Sequence, residues 1–294
     1  MPIKKAISFM EDNLENPITL GEIAEASGLS TYYFSRLFNI FAGESPMSYL
    51  RHRRLTEAAL RLENTPGYSL INLALDYGFE SQEAFTRAFK RNFGIPPGKY
   101  RKERLSLHTK FRLRLTSSQL SLRQGAPKMI PEFATRQAFH VIGLTGDFSK
   151  DTADTSKDTT NTIVDLWRNL NARYDEFDPA TIDRDYNYGV CLRGDGNNFT
   201  YLAAIAANSL KKVPKGMTGL KVEAGNYAVF HLTIDKATPI NQQFNDAYQG
   251  IWGDWLPNSE YDFAETPDFE LYGPGFDGKT GTGEIEIWIP VKKK

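Results

Sequence analysis

Apolar residues recur at helical spacing along the first hundred positions, and cap and turn residues divide them into short segments. Residues 3–14 form the first such segment. The next begins at a capping box, in which the Thr19 hydroxyl accepts a backbone N–H while the Glu22 carboxylate reaches back. Gly28 ends this helix and Ser30 caps another. Two short helices joined by a glycine-containing turn predict a helix-turn-helix.

The same arrangement occurs again farther along the chain. Ser69 begins a helix, Tyr77-Gly78-Phe79 forms a turn, and Ser81 caps the following helix. Residues 45–62, between the two repeats, are predicted to form one long helix. Such a helix can hold the two motifs apart rigidly, as two reading helices on one duplex require, since successive major-groove faces of B-DNA lie about 34 Å apart.

The second helix of each motif has an apolar face and a polar face. The outward side chains are Tyr32, Ser35, Arg36 and Asn39 in the first motif and Gln82, Glu83, Thr86, Arg87 and Lys90 in the second. A helix with such a polar stripe can enter a major groove while its other face packs in a core.

Residues 3–104 resemble the DNA-binding domain of the AraC/XylS family, in its MarA–SoxS–Rob branch. The segments that carry the resemblance are EDNLENPITL, SYLRHRRLTEAALRL and DYGFESQEAFTRAFKRNFGIPPGKYR. Arginine pairs with guanine and glutamine with adenine, so the polar stripes suit base reading. The resemblance implies base contacts by Tyr32, Ser35 and Arg36 from the first recognition helix, and by Gln82, Glu83, Thr86 and Arg87 from the second.

Basic side chains around these helices are candidates for phosphate contacts, which make binding depend on salt. They are Arg51, Arg53, Arg54, Lys90, Arg91, Lys99 and Arg101. Each has the plainer alternative of a solvated surface charge. Glu83 likewise has two interpretations, because it can accept from cytosine N4 or stabilise the first turn of its helix through the helix dipole.

Charge divides the chain into two parts. Residues 1–128 carry 19 basic and 12 acidic side chains and residues 129–294 carry 16 and 24, although the whole chain has a net charge of −1. A basic part joined to an acidic part favours a polyanionic partner for the first, here double-stranded DNA. One cysteine, four scattered histidines and the lack of a long apolar run lead us to expect a cytoplasmic protein without disulfides, membrane spans, metal sites or cofactors.

A second domain is predicted beyond a basic linker. We expect a DNA-binding domain over residues 1–107, the linker over 108–128 and the second domain over 129–294. Within the last, the order strand, helix, strand, strand is predicted twice, with helices near 158–174 and 239–252. The fold class is therefore multidomain, with an all-α double helix-turn-helix domain followed by an α+β domain of two β-α-β-β repeats.

The last predicted strand places Glu284, Glu286 and Trp288 on one face and three isoleucines on the other. A glutamate in apolar surroundings is costly unless a cation or a hydrogen bond meets it. Aromatic residues that can complete a cage for a lipophilic cation are Tyr227, Trp252, Trp255, Phe269 and Tyr272. The plainer alternative is a strand with a solvated acidic face above an ordinary aromatic core.

This second domain resembles the GyrI-like effector-binding domain. The segments that carry the resemblance are NYAVFHLTI, IWGDWLPNSEYDF, PDFELYGPG and GEIEIWIPV. The resemblance implies a cleft between two halves and a ligand-contacting glutamate near the C-terminal strand. It matches Glu286 first and Glu284 second, with Trp288, Tyr227, Trp252, Trp255 and Tyr272 as further ligand-binding residues.

These features predict a sequence-specific transcription regulator, an activator that contacts RNA polymerase and whose second domain binds a small amphipathic or cationic effector. We expect it not to be an enzyme. One alternative is a second domain that hydrolyses small molecules with Glu286 as base or nucleophile. The other is a domain that only sequesters a drug, which would have no need of two recognition helices.

Overall fold

The structure is a computed structural model. It describes residues 2–65, 67–103, 107–116, 128–149, 163–192, 198–264 and 266–294. The chain divides into two compact units, Met1–Ser121 and Leu122–Lys294. The predicted linker, residues 108–128, lies outside the described residues from 117 to 127, and its first part packs on the first unit. The loop predicted over residues 151–161 also lies outside them.

The first unit is helical. Its helices are α1 (Pro2–Asp12), α2 (Leu20–Ser27), α3 (Thr31–Ala42), α4 (Pro46–Asn64), α5 (Leu70–Asp76), α6 (Gln82–Phe93) and α7 (Pro97–Glu103). The two helix-turn-helix motifs, α2–α3 and α5–α6, are therefore confirmed. The predicted long helix is α4, whose 19 residues span about 28 Å.

Local capping explains where these helices begin and end. The capping box at Thr19 and Glu22 is formed, with both reciprocal hydrogen bonds present. Ser30 and Ser81 cap α3 and α6 through their hydroxyls, whereas Ser69 makes no side-chain cap for α5. Pro97 begins α7. Proline at the first helical position has no backbone N–H to leave unpaired.

Aromatic residues build the core around the second motif. Phe85, Phe89 and Phe93 on α6 are buried one turn apart and pack edge-to-face or tilted against one another. Tyr100 of α7 packs on Phe89. This core fixes the inner face of α6, so its polar face is directed away from it.

The second unit combines one sheet with two main helices. The strands are β1 (Glu132–Arg136), β2 (Phe139–Ser149), β3 (Ile182–Leu192), β4 (Asn198–Ala207), β5 (Thr218–Val222), β6 (Gly225–Ile234), β7 (Tyr261–Phe263), β8 (Asp268–Tyr272), β9 (Phe276–Asp277) and β10 (Thr282–Lys293). The helices are α8 (Ile163–Ala172), α9 (Ile240–Tyr248) and the short α10 (Leu256–Asn258). A π-helical segment, Gln249–Trp255, joins α9 to α10.

The sheet confirms the predicted repeat. Its order is β1-β6-β10-β8-β3-β4-β2-β5, and every pairing is antiparallel. The halves β2-α8-β3-β4 and β6-α9-β8-β10 meet where β3 pairs with β8. Two strands that we did not predict form the two edges of the sheet, and each pairs with a strand of the other half. β1 precedes the first half but pairs with β6, and β5 precedes the second half but pairs with β2.

The two faces of the sheet differ. On one face, α8 packs on β2 and β4, and α9 packs on β6; we call this the helix face. On the other, buried aromatic and aliphatic residues of the strands pack on one another, among them Tyr188, Tyr227, Phe269 and Trp288; we call this the bare face. In the described part of the chain, no helix is long and apolar enough to cross a membrane.

Candidate functional site

The polar stripe of α3 presents Tyr32 and Arg36. Arg36 donates to the Tyr32 hydroxyl at 2.8 Å, and its guanidinium lies 5.7 Å from the centre of the tyrosine ring. Both side chains are half-buried. The tyrosine thus helps to orient the arginine on the polar face of the helix.

Ser35 does not belong to this stripe. Its side chain is 1 % exposed, and its hydroxyl makes no hydrogen bond to any residue that the structure describes. The predicted base contact by Ser35 is therefore wrong, because α3 turns this residue into the core beside Phe34 and Phe38. Tyr33 is buried as well, so α3 has a wider inward face than its pattern predicted.

The polar stripe of α6 has the predicted orientation. Glu83, Arg87 and Lys90 are exposed, and Gln82 and Thr86 are half-buried. Arg87 also lines a cleft of about 500 Å³ between α4, α6 and the turn that precedes α6. Three other arginines, Arg51, Arg54 and Arg91, line the same cleft, which makes this side of the second motif strongly basic.

Burial changes the role of two arginines that we predicted to contact phosphates. Arg53 is buried, and its guanidinium donates to the carboxylates of Glu11 and Glu57. A phosphate contact by Arg53 is therefore excluded. Arg54 donates to the carbonyls of Leu14 and Asn16, and burial lowers the pKa of its guanidinium.

A buried carboxylate lies at the centre of the second unit, on β8. Glu270 is 6 % exposed, and its side chain is on the helix face. Three tyrosine hydroxyls donate to it: Tyr201 at 2.6 Å, Tyr248 at 2.7 Å and Tyr272 at 3.2 Å. Among the described residues, no cationic side chain forms an ion pair with it.

Position in the sheet explains how this group is assembled. Glu270 pairs with Gly189 across the junction of the two halves, and a Cβ at Gly189 would collide with the Tyr201 hydroxyl and with Glu270. The glycine therefore leaves the space through which Tyr201 of β4 reaches across β3. Burial raises the pKa of the Glu270 carboxyl, although the tyrosine hydrogen bonds lower it in part.

A cavity of about 420 Å³ opens beside the Glu270 group. Trp167 of α8, Tyr272 and Phe276 line it, and the Tyr272 ring packs edge-to-face on Trp167 at 5.4 Å and on Phe276 at 5.0 Å. The Trp167 indole N–H points to the Tyr201 hydroxyl at 3.4 Å. Tyr272 is thus the residue shared by the wall of the cavity and the shell around the carboxylate, and the charged side chains that line the cavity are Arg184 and Asp185.

Glu286 and Trp288 lie on the opposite, bare face. The Trp288 indole donates to Glu286 at 2.7 Å, and Trp288 packs against Tyr227 and Phe269. The guanidinium of Arg136 occupies this aromatic group. It lies 4.6 Å from the ring of Phe139, 4.8 Å from that of Trp288 and 5.6 Å from those of Tyr188 and Phe269. The aromatic group beside Glu286 therefore already holds a cation of the protein, and of the aromatic residues predicted for the cage only Phe269 is among the four rings that Arg136 contacts.

The seven residues predicted to bind the ligand do not form one site. Tyr272 lies at the cavity, and Glu286, Trp288 and Tyr227 surround the Arg136 cage. Trp252 and Trp255 pack on Phe263 and Phe230, and Glu284 is exposed. The alternation that drew attention to Glu286 also occurs in β8, where Asp268, Glu270 and Tyr272 share a face. It does not reveal which face the helices cover.

Comparisons with known proteins place these two groups of residues in context. Residues 23–103 match a helix-turn-helix domain family, and residues 132–291 match the family of the integron-associated effector binding protein. The transcriptional regulator Rob of Salmonella typhimurium is 25 % identical over 99 % of this chain and 98 % of its own. The multiple antibiotic resistance protein MarA of Escherichia coli is 38 % identical over 37 % of this chain and 85 % of its own. An integron cassette protein of Vibrio cholerae is 21 % identical over 56 % of this chain and 97 % of its own, with a TM-score of 0.39.

Proposed function

This chain belongs to the AraC-type helix-turn-helix transcription regulators and carries an integron-associated effector-binding domain, and from this we propose that α3 and α6 read its operator while an effector binds beside Glu270. It is a DNA-binding regulator with a ligand-binding domain. The base-reading residues and the effector's position are our assignments.

We assign base reading to Arg36 on α3 and to Gln82 and Arg87 on α6. Arginine donates twice to guanine, and glutamine pairs with adenine N6 and N7. The two helices are held apart by α4, in keeping with reading of successive major-groove faces on one side of the duplex. The arginine-lined cleft beside Arg87 supports phosphate contacts near the second motif.

Selection from a randomised duplex library at two salt concentrations tests this assignment. We expect one bipartite site. Arg36→Ala and Arg87→Ala should each weaken the binding free energy by about 1–3 kcal/mol, and each should reduce the base preference in a different half of the site. Lys5→Ala, an exposed cation on α1, is the matched control. Binding that depends only on salt and is unchanged by both arginine variants would refute sequence-specific reading.

We assign the effector to the cavity beside the Glu270 group, and the observation that carries this is a buried carboxylate that is surrounded by tyrosines and has no cationic partner among the described residues. An ionised carboxylate in such a place is strongly stabilised by an incoming positive charge. The rings of Trp167 and Tyr272 would add cation–π contacts of about 0.5–2 kcal/mol each. A small amphipathic molecule with a cationic centre fits this chemistry.

A styrylpyridinium dye, a permanent aromatic cation, and a neutral stilbene of similar shape test the effector site by fluorescence. We expect Glu270→Gln to weaken dye binding by about thirtyfold or more and to leave stilbene binding nearly unchanged. Glu286→Gln is the matched control on the other face. An equal loss in both variants, or none in Glu270→Gln, would overturn the assignment.

Binding rather than hydrolysis is also our proposal for the second domain. Both oxygens of Glu270 are engaged by tyrosine hydroxyls, and such a carboxylate is poorly placed to attack a substrate or activate water. The relative Rob is a transcriptional regulator in name. Incubation of the protein with ester and amide derivatives of the dye, followed by chromatography, should recover them intact.

Activation through RNA polymerase completes the proposal, together with a cytoplasmic location where a bacterial chromosome is accessible. The support is the similarity to Rob along the full chain. Transcription in vitro from a promoter carrying the selected site, with purified polymerase, should increase when the protein is added.

A further inference from the structure

Residues 107–116 follow α7 and form a segment that we call the strap. Its first residue, Leu107, is buried in the core of the second motif, and Phe111 packs edge-to-face on Phe93 at 5.9 Å. Its other end is held at Leu115, which is buried and whose N–H donates to the Tyr49 hydroxyl. The strap therefore crosses the first unit from one motif toward the other.

The middle of the strap is bound to α4 through its backbone. The Arg112 N–H donates to the Thr56 hydroxyl at 3.0 Å, and the Arg112 carbonyl accepts from Arg53 at 2.9 Å. Arg53 is itself held by Glu11 of α1. Because α4 is the rigid element between the two motifs, the strap has a fixed position relative to both.

Two strap cations reach the C-terminal ends of the two recognition helices. The Lys110 ammonium donates to the carbonyl of Phe93, the last residue of α6, at 2.9 Å. The Arg112 guanidinium donates to the carbonyl of Ala42, the last residue of α3, at 3.2 Å. Carbonyls in the last turn of a helix lack intrahelical partners, and cations are stabilising there.

Arg112 is fixed further by the turn that follows α3. Its Nε donates to Glu44 at 2.5 Å, and the other oxygen of Glu44 lies 2.7 Å from His52 Nδ1. One planar guanidinium thus joins the end of α3 to the start of α4. Lys110 and Arg112 are two residues apart, so a single short segment connects the ends of both recognition helices.

From this geometry we infer that Lys110 and Arg112 are positioning residues for base reading, each setting the orientation of one recognition helix. Each helix has 12 residues and is about 18 Å long. A tilt at its C-terminal end therefore displaces the base-reading residues in its N-terminal half. The inference rests on the proposed reading of DNA by α3 and α6.

The test uses the full chain and the randomised duplex library, with Lys110→Met and Arg112→Met. The halves of the selected site are assigned by Arg36→Ala and Arg87→Ala. We expect Lys110→Met to lower discrimination about two- to fivefold at bases read by α6 and to spare the α3 half, and Arg112→Met to do the reverse. The dependence of binding on salt should stay that of the unmodified protein, since no phosphate contact is removed.

Arg114→Met is the matched control, because Arg114 is a strap cation that contacts Ser8 instead of a recognition helix. Lys110→Arg, which keeps the donor, should restore the preference. If Arg112→Met unfolds, Arg112→Lys keeps a charge beside Glu44 but cannot also reach Ala42, so it should still relax the α3 half. A normal preference in Arg112→Lys would then overturn the role of Arg112.

Two other results would overturn the inference. Equal losses on matched and mismatched duplexes with a smaller salt dependence would make these cations phosphate contacts. If the variants are indistinguishable from Arg114→Met, Lys110 and Arg112 have no role in positioning the recognition helices. If the unmodified protein selects no bipartite site, the proposed reading of DNA by α3 and α6 is itself wrong. If the unmodified protein selects such a site but the Lys110 and Arg112 variants behave like Arg114→Met, only the positioning role of these two residues is wrong.

Discussion

Gly189 on β3 and Glu270 on β8 face each other across the junction of the two halves, and the missing side chain of Gly189 is what allows Tyr201 to reach Glu270. The group around the carboxylate thus depends on one residue that contributes no atoms to it. Any side chain at that position competes with the tyrosine for the same space.

We expect Gly189→Ala to disrupt the Tyr201–Glu270 hydrogen bond and to lower the free energy of unfolding by about 1–3 kcal/mol, as overpacking does. Dye binding beside Glu270 should weaken in parallel. Gly273→Ala is a suitable control, because its Cβ would meet its nearest neighbour, Tyr186, at an ordinary 3.5 Å. Thermal unfolding of both variants measures the difference, and equal stability would contradict the requirement for glycine.

The raised pKa of Glu270 predicts how dye binding depends on pH. Below that pKa the carboxyl is protonated and neutral, so the affinity for the permanent cation should fall by about tenfold per pH unit. Titrations of the dye at several pH values test this, and Glu270→Gln should remove the dependence. An affinity that rises as the pH falls would contradict a cation paired with Glu270.

The same pKa has a consequence for stability with the opposite sign. Because the folded protein holds this proton more tightly than the unfolded chain, the contribution of Glu270 to stability is fully present at low pH. It is lost as the pH rises from the unfolded pKa through the raised one. As the pH rises through this interval without dye, the free energy of unfolding should therefore fall less for Glu270→Gln than for the unmodified protein.

Removal of the cation from the bare face should destabilise the second unit without affecting the effector site. We expect Arg136→Met to cost about 0.5–2 kcal/mol through the lost cation–π contacts, and Arg136→Lys to recover part of this. Arg168→Met, which removes only an exposed ion pair with Asp165, should be nearly neutral. Urea unfolding provides the values, and a change in dye affinity as large as the change in stability would contradict separate sites.

Burial of Ser35 predicts that its hydroxyl has no part in DNA reading. Ser35→Ala should leave the selected site unchanged and raise the free energy of unfolding by up to about 1 kcal/mol, since it removes a buried hydroxyl that has no hydrogen-bond partner among the described residues. Library selection and thermal unfolding on the same preparation check both parts. A changed preference in the α3 half would show that the helix is rotated relative to this structure.

Local signals allowed most of the first unit to be predicted. The caps at Thr19, Ser30 and Ser81 act within one turn, so the sequence contains all that is needed to place α2, α3 and α6. The inward rotation of Ser35 was missed because a serine satisfies either face of an amphipathic helix. Only the packing of α3 on its neighbours decides between them.

The candidate effector site depended on information that local patterns lack. Strand alternation showed that Glu286 and Trp288 share a face, but α8 and α9 cover the opposite one. Arg136 could not be linked to Trp288, because β1 and β10 are far apart in sequence and meet only through β6. Likewise, the strap was predicted as part of a linker since its contacts with α3 and α6 are long-range.

The exchange of β1 and β5 between the halves has a consequence for how the second unit can be divided. A cut between β4 and β5 would leave each fragment carrying an edge strand whose partner lies in the other. Neither piece could complete its own sheet, and each would expose an unpaired strand edge. Such fragments would reassociate to regain the native pairing, so the two halves behave as one inseparable folding unit despite their repeated architecture.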